Sequence, residues 1–227
     1  MTKAKLLTSI KEIDSYLDMV GIQYSLSPNR NRLDLCKYSE RYYNTSHHGS
    51  YKEIFLVASE NHDYDIILED GSFFQFTYGA NKDIHYSFFD KVEKVLSYEE
   101  FEEKYLSDSN IDSIAQEYEM YLSTDKEPNN PLPIRYDVAK AEYKEAIHAF
   151  AHFHFGHNND IRVPTDKILK PLAFVDFIVK HMYKEKWDKS YMSNDKFKKI
   201  IEGIKTQSEI LDARCFSENE KAQLYLT

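Results

Sequence analysis

The chain has 227 residues, of which 42% are hydrophobic and 30% are charged, and its formal net charge is −9. This composition excludes a disordered chain and is typical of a folded protein with a substantial core. The negative charge argues against a protein that binds nucleic acid by charge alone, although a local basic patch would still bind RNA.

The sequence also predicts a cytoplasmic protein with no membrane contact. No apolar run approaches the roughly 20 residues that cross a bilayer, and the basic residues at 1–7 are not followed by the apolar region of a secretion signal. The two cysteines, Cys36 and Cys215, lie far apart and lack the spacing of a metal site. This cysteine usage favours a reducing compartment.

An amphipathic helix is predicted over residues 3–20, because apolar side chains recur there at helical spacing and Gly21 follows as a stop signal. These apolar side chains are Leu6, Ile10, Ile13, Leu17 and Val20. Residues 28–50 are polar, and we predict a loop there with a short element at 33–36.

Four strands are predicted next, over residues 53–59, 64–69, 72–78 and 84–89. Between the second and the third lies Asp70-Gly71, which is a strong two-residue turn signal. The connections are short, and short connections favour an antiparallel meander.

Helices are predicted again after residue 96. Ser97 is a candidate N-cap with Glu100 three residues later, and a second helix is predicted over 111–122. The segment 123–133 is rich in helix breakers and returns the chain to the sheet, where 134–138 is a further predicted strand.

Together these elements predict one α+β domain over residues 1–227. Its antiparallel sheet has about five or six strands, which come from residues 50–90 and 133–165, and helices flank the sheet. The predicted helices are the N-terminal helix 3–20, a helical insertion within 97–122 and C-terminal helices within 171–212.

The most informative segment is 147–157, which contains four of the nine histidines. These are His148, His152, His154 and His157. If residues 148–155 form a strand, alternation places His148, Phe150, His152 and His154 on one face. The other face then consists of Ala149, Ala151, Phe153 and Phe155, which suit a core.

A row of imidazoles suits acid–base catalysis on a phosphodiester without a cofactor. In this interpretation His152 and His154 are the catalytic acid–base pair and His148 is auxiliary. Arg162 and Arg135 bind the phosphate and stabilise its charge in the transition state.

Two other interpretations of the histidine row stay open. His152 and His154 are two residues apart on a strand and would share a divalent metal ion, with Asp137 or Asp160 as a further ligand. Alternatively, the histidines are structural and form hydrogen bonds on a polar sheet face.

In the segment Arg135-Tyr136-Asp137, Tyr136 is predicted to enter the core while its two neighbours share the opposite face.

The chain resembles a bacterial family known as domain of unknown function 2290. The likeness covers roughly residues 50–185, and it rests on the segments 64–78, 135–137, 152–162 and 171–178. The family name carries no established activity, so the resemblance implies no functional residue.

A looser resemblance is to small toxins of bacterial toxin–antitoxin pairs, some of which have Arg-Tyr-Asp followed by a strand that ends in His-x-His. Here 135–137 and 152–154 match that order, whereas the adjacent histidine pair of those toxins is absent. The resemblance implies an RNase-like toxin or antiphage defence effector, with RNA as substrate and an antitoxin as partner. The alternative is a non-enzymatic component of a defence or toxin–antitoxin locus, in which the histidine face is structural and the protein binds another defence-locus protein.

Overall fold

A computed structural model describes residues 1–79, 81–94, 96, 98–105, 114–124, 128–158 and 161–226. Seven strands form one antiparallel sheet in which every strand pairs with its neighbours in sequence. They are β1 (Tyr24–Leu26), β2 (Ile66–Leu68), β3 (Phe73–Tyr78), β4 (Ile84–Phe89), β5 (Ile134–Val138), β6 (Ala151–Phe155) and β7 (Arg162–Pro164). Two further short strands, β8 (Lys167–Ile168) and β9 (Glu209–Ile210), pair with each other.

Helices precede, interrupt and follow the sheet. In the described part of the chain they are α1 (Lys3–Val20), α2 (Glu40–His48), α3 (Tyr51–Glu60), α4 (Tyr98–Tyr105), α5 (Ile114–Ser123), α6 (Pro171–Met182), α7 (Lys184–Ser193), α8 (Asp195–Thr206) and α9 (Glu218–Lys221). The predicted α+β class is confirmed, with slightly more strands than predicted. None of the described helices combines the length and the apolar character that a bilayer-spanning helix needs.

The main core lies between one face of the sheet and the helices α1, α6, α7 and α8. Alternate residues of β3 to β6 point into this core, among them the fully buried Phe74, Tyr86, Tyr136 and Phe153. The ring of Phe174 on α6 contacts three of these four rings. Since this face is closed by helices, the side chains between these positions all lie on the opposite face of the sheet.

That opposite face is polar over most of its width. Helices α2 and α3 cover its β3 side, where Phe55 and Ala58 of α3 pack on Phe73 and Val92 in a second, smaller core. The rest of the face forms the floor of a cleft of about 750 Å³.

The predicted strand over 53–59 is wrong, because these residues belong to α3. Ser50 and Glu53 form a capping box, in which each side chain bonds the backbone N–H of the other. The buried residues Ile54, Phe55, Val57 and Ala58 follow a helical spacing, and Leu56 between them is 39% exposed. A short apolar run of this kind is compatible with either element, and the cap together with the packing on the small core selects the helix.

Other predicted bounds differ in smaller ways. The predicted loop over 28–50 contains α2, which begins after the N-cap Ser39. The C-terminal helices predicted within 171–212 end at Thr206, and Glu209 and Ile210 form β9 instead. The predicted cap Ser97 and residues 111–113 of the predicted second helix lie outside the described residues.

Candidate functional site

The register of β4 to β7 arranges the polar side chains of the cleft floor in two rows. In the first row, which we call the dyad row, His85 lies opposite Asp137, and Asp137 lies opposite His152. In the second row, which we call the guanidinium row, Arg135 lies opposite His154, and His154 lies opposite Arg162. Residues of one row are two positions from those of the other along each strand, so both rows point to the cleft.

Asp137 is the centre of the hydrogen-bond network. Its Oδ1 accepts a hydrogen bond of 2.9 Å from His85 Nδ1, and its Oδ2 accepts one of 2.8 Å from Arg135 Nε. The same Oδ2 lies 3.1 Å from His154 Nε2. Burial by itself would raise the pKa of Asp137, but the hydrogen bonds from His154 and His85 and the charge of Arg135 outweigh it and hold the pKa well below its ordinary value. The carboxylate is therefore ionised.

His152 is held as a neutral imidazole. Its Nδ1 lies 2.9 Å from the carbonyl oxygen of Ala149, which only accepts hydrogen bonds, so Nδ1 carries the hydrogen and Nε2 carries the lone pair. Burial, reinforced by the neighbouring His154, lowers the pKa of His152 to about 4. At neutral pH the Nε2 lone pair of His152 can accept a hydrogen bond from His154 or bind a metal ion.

His154 places its Nε2 among three polar atoms. They are Asp137 Oδ2 at 3.1 Å, His152 Nε2 at 2.9 Å and Arg135 Nη2 at 3.2 Å. The carboxylate only accepts hydrogen bonds and the guanidinium only donates them. Since a ring nitrogen offers either one hydrogen or one lone pair, no protonation state of His154 satisfies all three neighbours.

His148 lies beside the row rather than within the strand. It forms an isolated bridge with Lys144, and its ring packs edge-on against His152 with the centroids 4.9 Å apart. The prediction that Phe150 shares the histidine face is wrong, because its side chain packs in the main core. Regular β structure begins only at Ala151, so the alternation that holds for His152 and His154 does not extend back to Phe150.

Both predicted phosphate-binding residues line the cleft. The side chain of Arg135 is 51% exposed, and Arg162 on the edge strand β7 is exposed. The structure therefore brings His152, His154, Asp137, Arg135 and Arg162 together on one surface. The other predicted carboxylate, Asp160, lies outside the described residues.

Sequence analysis missed His85, although a signal was present. On β4 the core residues Ile84, Tyr86 and Phe88 alternate with His85 and Ser87, which places both polar side chains on the face opposite the core. What the sequence did not reveal is that β4 pairs with β5 in the register that joins His85 to Asp137.

Helices α2 and α3 supply an aromatic wall of the cleft. Tyr42 and Tyr43 of α2, together with Tyr51 of α3, line it. Tyr43 is 57% exposed, whereas the hydroxyl of Tyr42 donates a hydrogen bond of 2.8 Å to Gln75 Oε1. Gln75 also donates to the carbonyl oxygen of Asp63, so this glutamine ties the wall to the floor.

A sequence model of the family described as an uncharacterised conserved protein, DUF2290, matches residues 24–227. The chain belongs to the DUF2290 family. The matched range includes all seven strands of the sheet and every residue of both rows, whereas α1 lies outside it. No curated protein and no solved structure matches the chain.

Three of these side chains also meet the geometric requirement for holding one metal ion. Asp137, His152 and His154 each offer a ligand atom, and the three atoms lie within 4.8 Å of one another. All three residues are buried at the floor of the cleft.

Proposed function

We propose that this DUF2290 protein is an RNase-like phosphodiesterase that hydrolyses its substrate in the cleft. The observation that supports the proposal is the adjacency of the two rows. The guanidinium row offers Arg135 and Arg162 on either side of His154, and arginine binds the oxygens of a phosphate in a bidentate manner. The dyad row offers a proton acceptor beside that phosphate site.

The proton acceptor in this proposal is His85. Its Nδ1 is bonded to Asp137, so the opposite nitrogen carries the lone pair when the ring is neutral. The side chain lines the cleft and is 42% exposed, which leaves it accessible to water and substrate. An acidic residue that orients a histidine base in this way is a recurrent catalytic arrangement.

Hydrolysis then proceeds by attack of a water oxygen on phosphorus. His85 takes a proton from the water, and the bond from phosphorus to the leaving alcohol oxygen breaks. The leaving oxygen then takes a proton from solvent water, and protonated His85 releases its proton to the solvent. His152 and His154 form the site that positions the attacking water, and Arg135 and Arg162 bind the non-bridging oxygens.

The proton transfer is assigned to His85 rather than to the pair His152 and His154 for a geometric reason. The attacking and leaving oxygens of a phosphoryl transfer lie roughly in line, on opposite sides of phosphorus. The Nε2 atoms of His152 and His154 lie 2.9 Å apart. They therefore face one point, as two groups that position a single water would.

Space and stacking surfaces favour a diester with organic groups on both sides of the phosphate. The cleft of about 750 Å³ is far larger than a phosphate group. The exposed ring of Tyr43 and the neighbouring His47, whose ring centroids lie 4.6 Å apart, offer a surface on which a base of single-stranded RNA would stack.

The proposal is tested with the purified full chain on bis(p-nitrophenyl) phosphate and on a fluorescent single-stranded RNA. Each assay is run with added Zn²⁺ and, separately, after treatment with a chelator. We expect hydrolysis under at least one condition, with ¹⁸O from labelled water in the phosphate product. His48→Gln, a substitution of an exposed histidine outside the cleft lining, should leave the rate unchanged. If neither substrate is cleaved under any of these conditions, the proposal fails.

We further propose that the protein acts in the bacterial cytoplasm as a toxin or defence effector, held in check by a partner protein. Both cysteines are free thiols, which suits a reducing compartment. Expression of the wild-type chain without its neighbouring genes should inhibit growth, and expression of a folded His154→Ala variant should not. Equal growth inhibition by both proteins would show that toxicity does not depend on this site.

A further inference from the structure

We propose that Asp137, His152 and His154 bind one divalent metal ion of the zinc class, and that this ion holds the attacking water. The inference rests on the proposed function for the role of the ion, whereas the binding site itself rests on geometry alone. Three ligand atoms on two adjacent strands lie within 4.8 Å of one another. Zinc bonds of about 2.0–2.2 Å therefore need only small side-chain rotations.

The contacts of His154 favour a cation between its Nε2 and the two acceptors beside it. Its Nε2 lies 3.1 Å from Oδ2 of the Asp137 carboxyl group and 2.9 Å from Nε2 of His152. A proton on Nε2 would serve only one of these acceptors well, and it would then face the donor Arg135 Nη2 at 3.2 Å. A metal ion between the three ligand atoms satisfies all of them, because each offers it a lone pair.

The surrounding hydrogen bonds orient the ligands as in known metal sites. Histidine ligands usually donate their second ring N–H to a carbonyl or carboxylate, and ligand carboxylates are themselves hydrogen-bonded. Here His152 Nδ1 donates to the carbonyl oxygen of Ala149, and Asp137 Oδ1 accepts from His85. Both ligands thus present their other atom to the shared point.

The chemical nature of the three ligand atoms determines which metal ions the site prefers. Two imidazole nitrogens and one carboxylate oxygen suit zinc and its neighbours in the first transition series, whereas magnesium and calcium prefer oxygen ligands. Three protein ligands leave the fourth position of a tetrahedral ion to water, as in catalytic zinc sites. The half-exposed Arg135 donates from Nε to Asp137 Oδ2 and would share this carboxylate with the ion.

The test is calorimetric titration of the chelator-treated full chain with Zn²⁺ alone. We expect one site per chain in the wild type, and at least tenfold weaker binding in His152→Gln and in His154→Gln. His157→Gln replaces a nearby cleft histidine outside the ligand set and should bind Zn²⁺ as the wild type does. Mg²⁺ alone should give no binding. Absence of a site in the wild type, or unchanged affinity in both ligand variants, would overturn the inference.

A second measurement keeps the test independent of variant folding. Zn²⁺ added to the wild type should shift the ring NMR signals of His152 and His154 and leave those of His47 and His48 in place, whereas the reverse pattern contradicts the site. Full hydrolysis by metal-stripped protein would overturn the role of the ion in holding the attacking water and would leave the proposed phosphodiesterase activity intact. Zn²⁺ binding at this site without any hydrolysis would confirm the metal site and overturn the proposed phosphodiesterase activity.

Discussion

His85 and Asp137 lie directly opposite each other on β4 and β5, and their side chains are joined by a hydrogen bond of 2.9 Å. This contact crosses 52 residues of sequence. It connects a half-exposed imidazole in the cleft to the buried carboxylate on which Arg135 and His154 also converge.

Replacing His85 should therefore affect catalysis far more than stability. We expect His85→Gln to lower kcat by about 10²–10⁴-fold, the usual contribution of a general base, with a much smaller change in KM. The free energy of unfolding should change by less than about 1 kcal/mol, because the side chain is 42% exposed. Steady-state kinetics and urea unfolding check both numbers. An unchanged kcat would remove His85 from the mechanism.

Arg162 should act in substrate binding. It is exposed on the edge strand and lies opposite His154. Since a hydrogen bond to a charged group contributes about 1.5–3 kcal/mol, Arg162→Gln should raise KM for the diester by roughly 10- to 150-fold. The melting temperature should stay within a few degrees of the wild type. Inorganic phosphate should inhibit the wild type more strongly than the variant. Equal inhibition of the two proteins would contradict this role.

His152 should make the metal-free protein less stable at acid pH. The pKa of His152 is about 4 in the folded protein, against an ordinary value of 6.5. Between pH 4 and pH 6.5 the unfolded chain therefore binds a proton at this histidine that the folded protein does not bind. The contribution of His152 to the free energy of unfolding is then fully present above about pH 6.5. It falls by roughly 2–3 kcal/mol as the pH drops toward 4. Urea unfolding at a series of pH values should show a shallower slope in this range for His152→Gln. Identical slopes would mean that His152 titrates normally when folded.

Lys37 and Asp65 form a buried ion pair beside the backbone of Phe76 on β3. Lys37 Nζ lies 2.7 Å from both carboxylate oxygens and 2.8 Å from the carbonyl oxygen of Phe76, and both side chains are at most 1% exposed. Lys37→Met should destabilise the fold by about 3–5 kcal/mol, because it strands a buried carboxylate. The double variant Lys37→Met, Asp65→Leu should cost less than the sum of the single changes, as a double-mutant cycle in urea would show. Additive effects would indicate that the pair is not coupled.

Much of the sheet was predictable from alternation alone. On β5 the apolar Tyr136 lies between Arg135 and Asp137, and on β6 Phe153 lies between His152 and His154. Since one face of this sheet must pack against helices, the intervening polar residues had to share the other face. The N-terminal helix was equally predictable, because Thr2 caps it and Gly21 ends it in the left-handed conformation, with φ of 74°.

The sequence alone therefore determined which side chains of β5 and β6 lie together on one face of each strand. Only the tertiary structure decided that β4 pairs with β5 and β6 with β7, and in which register these strands pair. That register joins His85 to Asp137 and places Arg162 beside His154. Alternation is a property of one strand, whereas pairing depends on packing across the whole sheet, and no local pattern near His85 indicates which strand will lie beside it.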